Sequence, residues 1–186
     1  MILEGDLMKL IFQNLNTSRL TLRKLLTEDV EELFIIRSNE EMNLYIDNVT
    51  DTNIEQTKKY IETMNFGIID SKWLIWGIVD NESSKLIGTI SLWNFHEDPL
   101  SCELGYGIIP SYQRRGLMSE AIQVVTKYAF GMMPFRYISA FTEEKNIPSI
   151  EFLKKCGFKY VDTIEEIGYN KAHVFHMHIF RIYVNK

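Results

Sequence analysis

The stretch Glu103-Leu104-Gly105-Tyr106-Gly107-Ile108-Ile109-Pro110-Ser111-Tyr112-Gln113-Arg114-Arg115-Gly116-Leu117-Met118-Ser119-Glu120-Ala121 changes its repeat halfway, and that change decides the fold class. The run Cys102–Ile109 reads as a strand, and Pro110 ends it because proline has no N–H for a ladder. Beyond Arg115 the residues Ser119, Ala121, Ile122, Val125, Tyr128, Ala129 and Phe130 recur at helical spacing. This predicts a helix over 115–130, stopped by Gly131 and Pro134. Arg136–Phe141 then reads as another strand, so strand, helix and strand form one parallel crossover.

Working outward, Lys72–Asp80 and Lys85–Phe95 join Cys102–Ile109 as three β-like runs. The turns Asp80-Asn81-Glu82-Ser83-Ser84 and His96-Glu97-Asp98-Pro99 separate them, which predicts an antiparallel meander. Upstream, Arg19–Leu25 alternates with period two, as a half-buried strand does. Thr27 is the expected cap of a helix carrying Val30, Leu33, Phe34 and Arg37, and a second helix fits 53–69 with Ile54, Lys58, Ile61, Met64 and Ile68. Downstream, Ile147–Cys156 is a short helix with Pro148 in its first turn and Gly157 as its C-cap. Phe158–Glu166 and Ala172–Val184 read as a closing hairpin, while residues 1–16 fit no pattern. The order is β, α, α, β, β, β, α, β, α, β, β: a mixed α/β (α+β) sheet. No Pro/Gly/Ser-rich linker or repeat interrupts it, which predicts a single domain over 1–186 with its core at about 17–184.

Composition narrows the partners. With 20 Lys+Arg against 25 Asp+Glu the formal net charge is -5, so broad attraction to nucleic acid or to an anionic membrane is not expected. The apolar run Trp73–Val79 is far short of the ~20 residues of a membrane span. The opening MILEGDLMKL carries Glu4 and Asp6 where a secretory leader has a cationic start, so a cytoplasmic location is expected. Cys102 and Cys156 are too few for a disulfide scaffold and have no metal-ligand spacing. His173, His176 and His178 lie on one strand-like run, but alternation separates 173 from the other two and no carboxylate or Cys adjoins them, so no metal is expected.

The turn after Pro110 brings Arg114, Arg115 and Gly116 to the start of a long helix. Free N–H groups there, close backbone approach at Gly116 and two cations suit a phosphate or pyrophosphate, although an ordinary solvated junction has the same composition. Neither G-x-x-x-x-G-K-[ST] nor G-x-G-x-x-G occurs.

Gln113-x-x-Gly116-x-Met118 resembles the acyl-CoA pyrophosphate loop of the GNAT N-acetyltransferase superfamily, Gln/Arg-x-x-Gly-x-Gly/Ala, with Met118 departing from the small last residue. Four further segments resemble its ribosomal-protein N-terminal acetyltransferase (RimJ/RimL-like) branch in the same order: Thr17-Ser18-Arg19-Leu20-x-Leu22-Arg23, Leu86-Ile87-Gly88-Thr89-Ile90, Cys102-Glu103-Leu104-Gly105-Tyr106, and Asn146-x-x-Ser149 with Leu153-Lys154-Lys155-Cys156-Gly157-Phe158. The resemblance implies a GNAT-type, mostly antiparallel sheet in which the central parallel pair splays and admits the pantetheine arm of acetyl-CoA. It implies that Ile108 and Ile109 supply the strand edge for that arm, that Gln113, Arg114, Arg115, Gly116, Leu117 and Met118 grip the pyrophosphate, and that Asn146 contacts the arm.

Acetyl transfer to an amine needs a base, since alkylamines are protonated near pH 7, and a proton source for the departing thiolate. Glu103 is the candidate base, with burial beside aromatics such as Tyr106 expected to raise its pKa; the alternative is that it only orders substrate or structure. Ser149 is the candidate proton donor, although Asn146 and Ser149 also suit a plain helix cap. The position where many superfamily members carry a Tyr acid holds Leu153. Trp73, Trp76, Trp93, Tyr45 and Phe66 are expected mostly in the core, with an acceptor pocket as the other role, and the loop Asn43–Asn53 is where this architecture contacts acceptor. Acetyl-CoA is thus the expected cosubstrate, and the partner an amine acceptor, either a small molecule or a protein N-terminus. A non-catalytic acyl-CoA-binding or partner-binding module, a nucleotide-phosphate binder, and a homodimer are the other readings left open.

Overall fold

A computed structural model describes residues 10–45, 50–95, 98–168 and 174–184. Residues 1–9, the middle of the expected acceptor loop, His96, Glu97 and His173 therefore lie outside the described residues. The elements in chain order are β1 (Leu15–Asn16), β2 (Leu20–Arg23), α1 (Val30–Ser38), α2 (Glu40–Asn43), α3 (Ile54–Ile69), β3 (Leu74–Asp80), β4 (Leu86–Trp93), β5 (Ser101–Ile108), α4 (Leu117–Met132), β6 (Tyr137–Glu143), α5 (Ile147–Lys155), β7 (Lys159–Ile167) and β8 (Val174–Tyr183). The strands form one sheet in the order β1-β2-β3-β4-β5-β6-β8-β7. Each neighbouring pair is antiparallel except β5 with β6, the crossover pair.

Three local expectations are corrected. Thr27 opens a 3-10 turn but does not cap α1. The Asp29 carboxylate reaches back to the Leu26 N–H at 2.7 Å and takes a bidentate grip from Arg23, at 2.7 Å to each oxygen. Gly131 does not stop α4, which runs on through it to Met132. The short helix α2 falls where only loop was expected, started by the Asn39 side chain accepting the Met42 N–H at 2.8 Å. Gly157, by contrast, takes φ +88 just after α5, and the Phe158 N–H closes onto the Leu153 carbonyl at 3.0 Å, as a glycine C-cap requires.

Cross-strand register sorts side chains onto two faces. Trp76, Ile90 and Tyr106 align on one face. There Tyr128 of α4 meets Trp76 edge-on at 5.8 Å, and Phe152 of α5 meets Tyr106 at 5.4 Å. Trp76 is fully buried, and its Nε1–H donates to the Gln13 carbonyl at 2.8 Å, so its one polar group is satisfied. Ile75, Ser91 and Gly105 align on the opposite face, under Tyr60 and Met64 of α3.

Candidate active site

The parallel ladder between β5 and β6 joins Ser101, Cys102 and Glu103 to Tyr137, Ile138 and Ser139 and, among the described residues, goes no further. Both strands continue, but β5 follows β4 as far as Ile108 while β6 follows β8 as far as Glu143. Two strands held by different neighbours must part, so a gap opens beyond Glu103. Which backbone groups face it follows from alternation. The Leu100 carbonyl accepts the Arg136 N–H at 2.7 Å on the β6 side, whereas the Ile109 N–H donates to Ile87 of β4 at 2.9 Å. Leu104, Tyr106 and Ile108 therefore turn their N–H and C=O groups towards the gap. Ile109, expected at that edge beside Ile108, is corrected: its N–H is spent on Ile87 and its carbonyl accepts the Tyr112 N–H at 3.0 Å. The Ile108 carbonyl itself takes the Gln113 side-chain amide at 3.2 Å.

Past the gap the chain makes a 3-10 turn at Pro110–Tyr112 and enters α4 through two left-handed residues, Arg114 (φ +59) and Gly116 (φ +77), the latter being the N-cap. A Cβ on Gly116 would meet nothing nearer than Arg19 Nη2 at 3.6 Å, so φ and not space calls for glycine here. The N–H groups of Leu117, Met118 and Ser119 have no helical partner upstream, and the helix dipole adds positive potential where Arg114 and Arg115 already lie. The loop is braced from outside. Arg19 Nη1 donates to the Arg115 carbonyl at 2.9 Å, and its Nε and Nη2 hold the Glu120 carboxylate at 2.8 and 2.7 Å. The Arg19 N–H and Ser18 hydroxyl also reach Glu120. The Arg115 guanidinium stacks over Tyr112 at 4.9 Å, and the Tyr112 hydroxyl meets Ser83 at 3.2 Å.

Partial burial pushes the Glu120 carboxyl up, but bonds from Thr17 and Arg19, with Arg19's charge, outweigh it and hold the group below the usual carboxylate range. A depressed pKa stabilises the clamp fully above the unfolded-chain value and loses that support as pH falls through the folded one. Ligand affinity at this loop is therefore expected to hold through the ordinary carboxylate range and weaken only as pH falls below it, and Glu120→Gln to be weak already at neutral pH with little further acid loss. Titrating a CoA-type ligand at stepped pH checks both.

On the α3 face, Glu103 accepts the Asn94 side-chain amide at 2.7 Å and stands in register with Trp93. Tyr106, expected beside it, points to the other face, being three residues along a strand. Its hydroxyl meets Ser149 Oγ at 2.9 Å, a partnership across 43 residues that sequence reading missed. Burial raises the Tyr106 phenol well above its ordinary pKa, so it stays protonated. Asn146 caps α5 by accepting the Ser149 N–H at 3.2 Å, and Leu153 lies fully buried in the core. Both cysteine thiols are pushed up by burial, Cys102 strongly with Glu103's charge adding, so neither is a ready thiolate. Glu143, also unforeseen, is 3% exposed, and one carboxylate oxygen accepts the His176 N–H at 2.9 Å, replacing a ladder acceptor where β6 ends. His178 meets Thr163 at 2.7 Å and His176 lies 3.9 Å from Glu165.

The known proteins agree with this architecture. Residues 19–159 match the acetyltransferase (GNAT) domain. The uncharacterized N-acetyltransferase YoaA of Bacillus subtilis (strain 168) is 30% identical over 172 residues, 92% of this chain and 97% of that protein. Among solved structures, the ribosomal L7/L12 alpha-N-protein acetyltransferase RimL in complex with coenzyme A superposes with a TM-score of 0.81 at 15% identity, over 92% of this chain and 98% of that one. The microcin C7 self immunity acetyltransferase MccE, in complex with acetyl-CoA and AMP, superposes with a TM-score of 0.77 at 19% identity, over 90% and 94%. A sheet parted at one parallel pair, a braced loop at the mouth of the gap and a domain match over most of the length lead to one conclusion: the chain belongs to the GNAT acetyltransferase family and is an acyltransferase.

Proposed function

We propose that the protein transfers an acetyl group from acetyl-CoA directly to a primary amine. The observation that carries this is the parted β5–β6 pair, with Glu103 at its closed end and the braced loop of α4 at its open end. The RimL and MccE complexes with CoA and acetyl-CoA support the choice of ligand. An amide-containing arm lying in the gap would pair with the backbone groups that Leu104 and Tyr106 turn towards it and with the Ile108 N–H, the Ile108 carbonyl being held by Gln113, and the pyrophosphate would sit against Gln113, Arg114, Arg115, Gly116, Leu117 and Met118.

The step then balances as follows. Glu103 takes a proton from the acceptor ammonium, directly or through one water, and the amine nitrogen forms a bond to the thioester carbon. The tetrahedral oxyanion collapses, the C–S bond breaks, and the CoA sulfur leaves as a thiolate. Ser149 gives that sulfur a proton and regains one from water, while the neutral Tyr106 hydroxyl holds the Ser149 oxygen in place; this pair takes the place of the tyrosine acid that Leu153 displaces. The amine's second N–H proton passes to water as the amide forms, and Glu103 returns its proton to solvent. The products are an N-acetyl amide and CoA. Direct attack suits this chain because its two thiols are protonated and buried or half-buried, so no acyl-enzyme nucleophile is at hand.

The acceptor class is a primary amine, on a small molecule or a protein N-terminus. Purified protein incubated with acetyl-CoA and a panel of both should release CoA with at least one of them. Failure to release CoA together with failure to bind acetyl-CoA overturns the proposal, and binding without turnover replaces it with a non-catalytic acyl-CoA module. Ser149→Ala is expected to lower kcat about tenfold or more, and Tyr106→Phe by less, with acetyl-CoA Kd little changed in both. A thiol-release assay with isothermal titration separates the two effects.

A further inference from the structure

We propose that the acceptor is a small primary amine carried on a compact aromatic or apolar body, which seats in the cleft between α3 and the β3–β4 ladder. This rests on the acetyl-transfer reading above and adds the substrate class. The cleft has a volume of about 200 Å³ and is lined by Tyr60, Met64, Trp73, Ile75, Ser91 and Trp93: three aromatic side chains, a thioether, an isoleucine and the hydroxyls of Tyr60 and Ser91, with no charged side chain. For scale, a dry cavity of about 150 Å³ takes a benzene ring.

Register places the cleft against the chemistry. Ile75, Ser91 and Gly105 form one row across β3, β4 and β5, and Trp93 with Glu103 forms the next. Neighbouring strands are about 4.8 Å apart, so the cleft floor ends one strand from Gly105, the second residue past the closed end of the gap. A Cβ on Gly105 would fall 2.8 Å from Ser91 Oγ and 3.9 Å from Trp93 Nε1. The missing side chain thus keeps open the passage from the cleft across β5 towards the gap. An amine on a ring-sized body can then lie in the cleft with its nitrogen at Glu103.

The walls differ in exposure and none carries a positive charge. Trp73 is fixed, its Nε1–H donating to the Met64 carbonyl at 2.9 Å and its indole lying on Gly67, where a Cβ would sit 2.0 Å from it. Trp93 is 47% exposed, an unusual place for an indole unless something covers it in use. Arg37 stacks on Tyr60 at 3.6 Å, but its charge is taken by Asp51 through bonds of 2.7 and 2.9 Å. One ammonium head is therefore favoured by Glu103 and by the aromatic faces. A second ammonium, as on a polyamine, would have to be desolvated in an uncharged cleft, and a polyanionic acceptor would face Glu103.

The test compares phenethylamine, spermidine and a serine-initiated hexapeptide as acceptors with acetyl-CoA. The expected result is a kcat/KM for phenethylamine about tenfold or more above either competitor, with quenching of tryptophan fluorescence when phenethylamine is titrated into the CoA-bound protein. Trp93→Ala and Gly105→Ala should each raise the phenethylamine KM about tenfold while leaving acetyl-CoA Kd unchanged, and Trp93→Phe should restore most of the loss. Preference for spermidine or for the peptide, or a KM indifferent to Trp93→Ala, overturns the inference while leaving acetyl transfer standing. No turnover with any amine and no acetyl-CoA binding overturns the underlying reading instead.

Discussion

Replacing Glu103 by Gln is expected to lower kcat by about two to three orders of magnitude while changing acetyl-CoA affinity less than about twofold. The amide keeps an oxygen for the Asn94 donor, which now lies 2.7 Å from the carboxylate, so the side chain holds its place and only its proton affinity is lost. Because the ammonium form of the acceptor predominates near neutrality, the loss should shrink as pH rises towards the amine's own pKa. That convergence separates a base from a residue that merely orders the site, whose replacement would cost the same at every pH. Steady-state rates across pH, with acetyl-CoA binding measured by calorimetry, give both quantities. A fall in acetyl-CoA affinity as large as the fall in kcat would make Glu103 structural.

Gly88→Ala is expected to cost about 2–3 kcal/mol and to lower Tm by about 5–10 °C. A Cβ at Gly88 would lie 2.2 Å from the Gly107 carbonyl oxygen and 3.0 Å from Ile108 Cα. These are backbone atoms, which cannot rotate aside as a side chain would, so β4 and β5 must move apart. The same two residues border the gap, and Ile108 carries one of the backbone pairs facing it. Acetyl-CoA affinity is therefore expected to fall along with stability, whereas Gly131→Ala, at a helical position where a Cβ meets nothing within 4 Å, should cost nothing and gain slightly. Thermal denaturation of both variants, with and without acetyl-CoA, provides the comparison.

How much of this was legible beforehand depended on the range of the interaction concerned. The order of strands and helices, the break at Pro110 and the cap at Gly157 are local, and periodicity or backbone preference reveals them. The two-residue β1 and four-residue α2 are too short to carry a repeat and are held by neighbours. Ile109 was misplaced because a sequence shows which residues end a strand but not the parity of its hydrogen bonds, which the Ile87 contact sets. Tyr106 was paired with the wrong partner for a different reason: alternation already puts residues 103 and 106 on opposite faces, and only the packing of α5 shows that Ser149 waits on the second. The Arg19–Glu120 clamp spans 101 residues and has no local signature.

That clamp makes ligand binding report on the completeness of folding. Arg19 stands just ahead of β2 and Glu120 in the first turn of α4, so the loop reaches its braced form only after two chain segments 101 residues apart have met. A ligand that binds the braced loop favours chains in which that meeting has occurred, and stabilises them by an amount that grows with its concentration over its Kd. If the proposed transfer holds, acetyl-CoA acts in this way on the protein before any acceptor arrives, as a mould for the surface on which it is then consumed.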